Sequence, residues 1–170
     1  MGKPARMLVL VVCSVSLVFG AVALVSAADP PTYTSSATLA EISDSNITAK
    51  LKLVEKGTTL TVTGTANGMD PSKHYHSLIY DSGSSPTGPN ACIPSVLPPV
   101  GGLSFDQMQL GSWQPIGQTT RTLNATRKGL AFVKLRDIRT LSIRRHDQTG
   151  PAASLALVSC GKRGSAVKTP

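Results

Sequence analysis

The sequence predicts an all-β domain, a Greek-key barrel or sandwich, carried behind an N-terminal export leader. Three observations support that expectation. Short runs alternate apolar and polar residues with period two, as half-buried antiparallel strands do. Turn residues such as Asn67-Gly68, Asp70-Pro71 and Gly150-Pro151 punctuate these runs. Beyond the leader, no segment repeats apolar residues at the spacing of an amphipathic helix.

Lys3 and Arg6 give a basic start, Met7 to Val25 is almost wholly apolar, and Val25-Ser26-Ala27 places small residues where a signal peptidase reads them. Residues 1–27 are therefore expected to be a signal peptide, cleaved after Ala27 or Ala28, with a secreted, periplasmic or cell-surface destination. The apolar run is also long enough for a retained membrane anchor. Cys13 lies inside it and is expected only to pack there. The rest of the chain is enough for one core and too little for two. Residues 28–46 are assigned to a lead-in with a possible first strand, 47–161 to the barrel and 162–170 to a basic C-terminal tail.

Ala28 to Tyr33 is Pro-rich and reads as unstructured, Thr34 to Ile42 alternates weakly, and Ser43-Asp44-Ser45-Asn46 is a turn. Ile47 to Val54 alternates cleanly, with Ile47, Ala49, Leu51 and Leu53 on one face and Thr48, Lys50 and Lys52 on the other. Glu55-Lys56-Gly57 turns the chain, and Thr58 to Ala66 returns with Leu60, Val62 and Gly64 inward. Ser77 to Tyr80 is the next short strand. Asp81 to Met108 is loop by composition, too long for an ordinary connection unless it is functional or pinned. Leu110 to Ile116 and Thr119 to Thr126 read as a hairpin, Leu130 to Leu135 and Arg139 to Arg145 as further strands, and Ser154 to Val158 leads into Cys160. Gly161 to Pro170 reads as a frayed tail. Trp113 is the single tryptophan and aromatics are 4% of the chain, so the core must rest on aliphatic residues.

Beyond the leader two cysteines remain, Cys92 and Cys160, and an even pair in an exported domain is most simply a disulfide. Charge is placed unevenly. From Asp29 to Thr120 the balance is −3, and from Arg121 to the end it is +9. A basic half of this kind attracts polyanions such as anionic polysaccharide or lipid headgroups. Arg136, Arg139, Arg144 and Arg145 are the expected contacts, against the simpler possibility of solvated strand faces. No aromatic residues are interleaved with these charges, which argues against specific nucleic-acid binding.

In order, the chain presents a hairpin ending Val62-Thr63-Gly64, then Gly68-Met69-x-Pro71, His74, a strand, a long loop bearing Cys92, Leu110-Gly111, Arg139-Thr140-Leu141-Ser142-Ile143, and a closing Cys160-Gly161. That ordered set, spanning Ile47 to Gly161, resembles the copper/zinc superoxide dismutase family. The resemblance implies an immunoglobulin-like, superoxide dismutase-like Greek-key barrel with both cysteines at the positions of the family's internal disulfide. It also implies copper held by histidines and zinc held by histidines and an aspartate, and there this chain departs from the pattern. With Pro71 and His74 aligned, His74 falls on a framework histidine, and two copper-ligand positions carry Ser77 and Ile79. The zinc aspartate position carries Gln109, a zinc histidine position Asp106, the last copper-ligand position Arg144, and the position of the arginine that guides superoxide Leu157. The expectation is a non-catalytic binding or structural module without a cofactor.

The alternative is a divergent dismutase or copper-binding protein that uses the chain's three imidazoles, His74, His76 and His146. His74 and His76 stand at the spacing that puts two rings on one face of a strand. Three histidines could hold copper or zinc with an open fourth position. Other catalytic arrangements are weaker. His146-Asp147 are sequence neighbours and lack the cross-chain geometry of a triad, no serine sits in a nucleophile elbow, and no Gly-rich phosphate loop is present. Asn46-Ile47-Thr48 and Asn124-Ala125-Thr126 are sequons that matter only if the source glycosylates its exported proteins.

Overall fold

The computed structural model describes residues 29–81, 92, 103–146 and 156–169. The expected leader, most of the Asp81–Met108 loop and the Gly150-Pro151 break lie outside the described residues.

Nine strands lie among the described residues: β1 (Thr32–Glu41), β2 (Thr48–Lys56), β3 (Thr59–Asn67), β4 (His74–Tyr80), β5 (Gln109–Ser112), β6 (Arg121–Arg127), β7 (Thr140–His146), β8 (Ala156–Lys162) and β9 (Val167–Thr169). One short helix, α1 (Phe105–Met108), precedes β5. Every ladder is antiparallel, and the strand order is β5-β4-β7-β8-β1-β2-β3-β6, with β9 beside the start of β1. The two ends of that order meet again where Gln114 and Thr122 exchange backbone hydrogen bonds of 2.9 and 2.6 Å. The result is a nearly closed barrel, which leaves almost no unpaired edge.

The alternation that predicted β2 and β3 is the alternation that fills the barrel. Ile47, Ala49, Leu51 and Leu53 are all buried, as are Leu60 and Val62, while Lys50 and Lys52 face water. Leu123 and Ala125 from β6, Tyr75 and Ile79 from β4, Leu141 and Ile143 from β7, and Val158 from β8 complete one continuous core. Trp113 sits inside it, fully buried, and its Nε1 donates to Ser77 Oγ at 2.9 Å, so the indole leaves no unpaired donor. Gly68, just past β3, has φ +81°, and an added Cβ would meet the carbonyl oxygen of Asn46. Only glycine fits that turn.

Three expectations need correction. Leu130 to Leu135 is not a strand: Gly129–Ala131 and Leu135–Asp137 are 3-10 turns joined by extended residues. Val133 and Leu135 are buried as their alternation suggests, but the Leu135 amide donates to the Glu55 carboxylate and not to a neighbouring strand, so burial occurs there without pairing. Residues 161–169 are not frayed. Arg163 N donates to Arg139 O and Gly164 N to Ser36 O, and β9 pairs with Thr32–Thr34. For the same reason the barrel begins at Thr32: β1 is a paired interior strand, held by β2 on one side and by β8 and β9 on the other.

Candidate functional site

Residues that can carry chemistry occupy three places on the barrel. The first is the outer face of β4, β7 and β8, where Leu78, Tyr80, Cys92 and Cys160 form a small apolar cluster backed by Ile42, Met108 and Leu157. Cys92 and Cys160 are joined in a disulfide across 68 residues of sequence, with Cα atoms 6.0 Å apart. This is the pin that the long loop required. Asp81 Oδ2 accepts from Leu103 N at 3.1 Å and brings the two ends of that loop together. Arg144 completes the attachment, donating from Nη2 to the Cys92 carbonyl at 2.8 Å and from Nε to Tyr80 Oη at 3.0 Å. Tyr80 Oη lies 2.9 Å from Ser142 Oγ. Arg144, expected among the polyanion contacts, thus spends its guanidinium on holding the loop.

Two positions to which the family resemblance carries copper ligands do other work: Ser77 is buried and accepts the Trp113 hydrogen bond, and Ile79 is in the main core. Leu157, at the position of the guiding arginine, packs in the outer cluster.

The second place is the end of the barrel where β4 begins and β7 finishes. His74 lies directly opposite His146 on the ladder, and His76 lies opposite Arg144 on β7 and Ser112 on β5. The rings of His76 and His146 meet edge-on with centroids 6.2 Å apart, and His76 Nδ1 is 3.3 Å from Ser112 Oγ. Burial, and then the neighbouring His146 and His74, hold the His76 imidazole below its ordinary value. The fold therefore does bring the three histidines together. Among the described residues, however, no group of three His, Cys, Asp or Glu side chains converges to hold a metal ion, so no metal-dependent step follows from this geometry.

The same end contains a residue that sequence reasoning missed. Arg121, at the start of β6, is fully buried. Its Nη2 donates to the carbonyls of Asp70 (2.8 Å) and Pro71 (3.2 Å), Nη1 to Lys73 O (2.9 Å) and Nε to Gln118 O (2.9 Å). Its guanidinium also lies 5.3 Å from the Tyr75 ring centroid, and Tyr75 Oη accepts from Asp70 N. A buried cation is thus compensated by backbone dipoles, and it fixes the β3–β4 connection that delivers His74. The signal was present in the pattern, since Arg121 shares strand parity with the inward Leu123 and Ala125.

The third place is the opposite end of the barrel, where β6 finishes, β7 begins and β8 leaves. The register gathers Arg127, Lys128, Lys134, Arg136, Arg139, Lys162 and Arg163 there, since Arg127 pairs with Leu60 at the start of β3 and Lys162 with Thr140 at the start of β7. Glu55 at this end is occupied, accepting from Leu135 N at 2.6 Å. Asp137 is 3.7 Å from Arg136 Nε, with both side chains largely exposed. Among the described residues, Arg127, Lys128 and Lys134 have no carboxylate partner, and Arg127 Nε is buried without a hydrogen bond. Of the four expected polyanion contacts, Arg136 and Arg139 lie here, while Arg144 and Arg145 lie at the far end of β7, roughly 20 Å away at a strand's rise per residue.

No protein-family model and no curated protein sequence matches the chain.

Proposed function

We propose that the chain is an exported, non-catalytic binding or structural module, built on a superoxide dismutase-like Greek-key barrel and docking on an anionic surface through its basic end. The barrel reading is supported by strand order. Strands β4, β5 and β6 follow one another, the last two meeting through the Gln114–Thr122 bridge, and β7 returns to pair with β4, which is the order a Greek key would have. The Cys92–Cys160 disulfide stands where the family resemblance puts one. The non-catalytic reading is supported by Ser77, Ile79 and Leu157, which are committed to packing.

The observation that carries the docking function is the convergence of Arg127, Lys128, Lys134, Arg136, Arg139, Lys162 and Arg163, from separate segments, on one barrel end. A single-sign patch of this kind attracts anionic polysaccharide or another cell-surface polyanion, in a salt-dependent way. The test is retention of the chain on a dextran sulfate matrix across a salt gradient. The triple variant Lys128→Gln/Lys134→Gln/Arg136→Gln is expected to elute at clearly lower salt than the wild type. Equal elution would refute the docking function.

The alternative, copper or zinc held by His74, His76 and His146, rests on the adjacency of the His76 and His146 rings. Titration with copper and zinc beside a His74→Ala/His76→Ala/His146→Ala variant separates the two. Stoichiometric binding that the variant loses would favour the alternative.

A further inference from the structure

From the tip of the β6–β7 connection we infer that the surface this barrel docks on is an anionic lipid bilayer, with Leu130 as the side chain that enters it. The inference rests on the docking function proposed above and names its partner. Leu130 is 99% exposed, the most exposed of the large apolar side chains among the described residues. A lone exposed leucine on a surface is ordinary. Its setting here is not.

Leu130 occupies the apex of a 3-10 turn, Gly129–Ala131, closed by backbone hydrogen bonds from Ala131 N to Lys128 O (3.2 Å) and from Phe132 N to Gly129 O (3.1 Å). Gly129, at φ +57°, supplies the left-handed residue the apex needs. Beneath it, Phe132 packs against the core, Val133 and Leu135 are buried, and Glu55 anchors the Leu135 amide. The connection is therefore fastened below and presents one apolar side chain above. Arg127, Lys128 and Lys134 flank it, without a carboxylate partner among the described residues.

An apolar apex flanked along the chain by cations matches the boundary between anionic headgroups and acyl chains. The cations meet phosphate while the leucine leaves water. A soluble polysaccharide would use the cations and find nothing for the leucine. Burying one leucine side chain corresponds to roughly ten- to hundredfold in affinity, and each basic residue near an anionic leaflet to roughly fivefold.

The experiment uses the chain from Asp29 onward, which contains every described strand, the disulfide and the described core. Binding is measured by sedimentation with phosphatidylglycerol/phosphatidylcholine vesicles, with phosphatidylcholine vesicles, and with soluble dextran sulfate. The expected result is binding to the anionic vesicles alone of the two, weakened at least tenfold in Leu130→Ser, with dextran sulfate binding unchanged by that substitution. In Leu130→Trp, the new indole should shift its emission to the blue when anionic vesicles are added. Trp113, already buried, serves as the unchanged internal reference for folding. Equal vesicle binding by the wild type and Leu130→Ser would overturn the inference, as would equal binding to both kinds of vesicle. Binding to dextran sulfate without binding to vesicles would overturn it and leave the docking function standing. Binding to neither would overturn both.

Discussion

Replacing Arg121 by methionine removes the most deeply buried charge among the described residues while keeping most of its volume. Four hydrogen bonds are lost, to the carbonyls of Asp70, Pro71, Lys73 and Gln118, all between 2.8 and 3.2 Å. At roughly 1.5 to 3 kcal/mol for each bond involving a charged group, simple addition would exceed the stability of many small domains, about 5–15 kcal/mol. Two effects reduce the total. The guanidinium no longer has to be desolvated, and Asp70, Pro71 and Gln118 are exposed residues whose freed carbonyls can reach water. The net cost should be about 3–5 kcal/mol, the range for breaking a buried charged network. Arg121→Lys keeps the charge but cannot serve four acceptors, and should fall between methionine and wild type. Urea unfolding followed by Trp113 fluorescence reads the effect directly, because that indole is buried and is the only one. With an m-value of roughly 2 kcal/mol/M, the midpoint should fall by roughly 2 M while the slope stays constant. A loss below about 1 kcal/mol in Arg121→Met would show that the arginine is not what fixes the β3–β4 connection.

Other consequences can be checked in the same way. Removing the disulfide as Cys92→Ala/Cys160→Ala frees a crosslink across 68 residues and should cost about 4 kcal/mol by loop entropy; a change under about 1 kcal/mol in the urea midpoint would contradict that. Gly161→Ala drives a Cβ against Thr38 O and to 2.9 Å from Leu39 Cδ2 where β8 crosses β1. It should lose about 3 kcal/mol, since backbone cannot step aside, and wild-type stability would show that the crossing is looser than this geometry implies. His76 has a folded pKa below its ordinary value of 6.5, so the unfolded chain takes up its proton first. Stability should therefore be complete above about pH 6.5, decline as the pH falls from there toward the lowered folded value, and level off below it. His146, His74 and Arg144 face His76 without a carboxylate among the described residues, which reinforces the trend. A His76→Gln variant should flatten this segment of the stability–pH curve; an unchanged slope would assign it to other groups.

Where one face of a strand is core and the other is water, the period-two pattern was sufficient. Ile47 to Val54 and Thr58 to Ala66 could be read at once, with their inward residues correctly named. Leu130 to Leu135 shows the limit of that reasoning, because alternation reports burial and not pairing. Val133 and Leu135 do point inward, but their segment pairs with no strand among the described residues. The tail was misread for the converse reason. Val167 to Thr169 is exposed and polar enough to look frayed, and its pairing with Thr32–Thr34 leaves no hydrophobic trace.

Charge counting foresaw a basic half but not its division. The register sends Arg136 and Arg139 to one end of β7 and Arg144 and Arg145 to the other, and it buries Arg121 altogether. Leu130 drew no functional expectation because it entered only as the first residue of an expected strand. The register sets His74 opposite His146, because β4 starts at His74 and β7 runs on to His146, and the rings of His76 and His146 meet edge-on.

On the proposed docking function, the placement of charge at one barrel end, and not the net charge, is what binds a polyanion. Two variants that each remove two positive charges test it most directly. Lys128→Gln/Lys134→Gln acts at the basic end, and Lys50→Gln/Lys52→Gln acts on the exposed face of β2. Both are run on dextran sulfate through the same salt gradient beside the wild type. The basic-end pair should elute at markedly lower salt, with the β2 pair close to wild type. Equal shifts in the two variants would contradict the claim, because retention would then follow net charge alone.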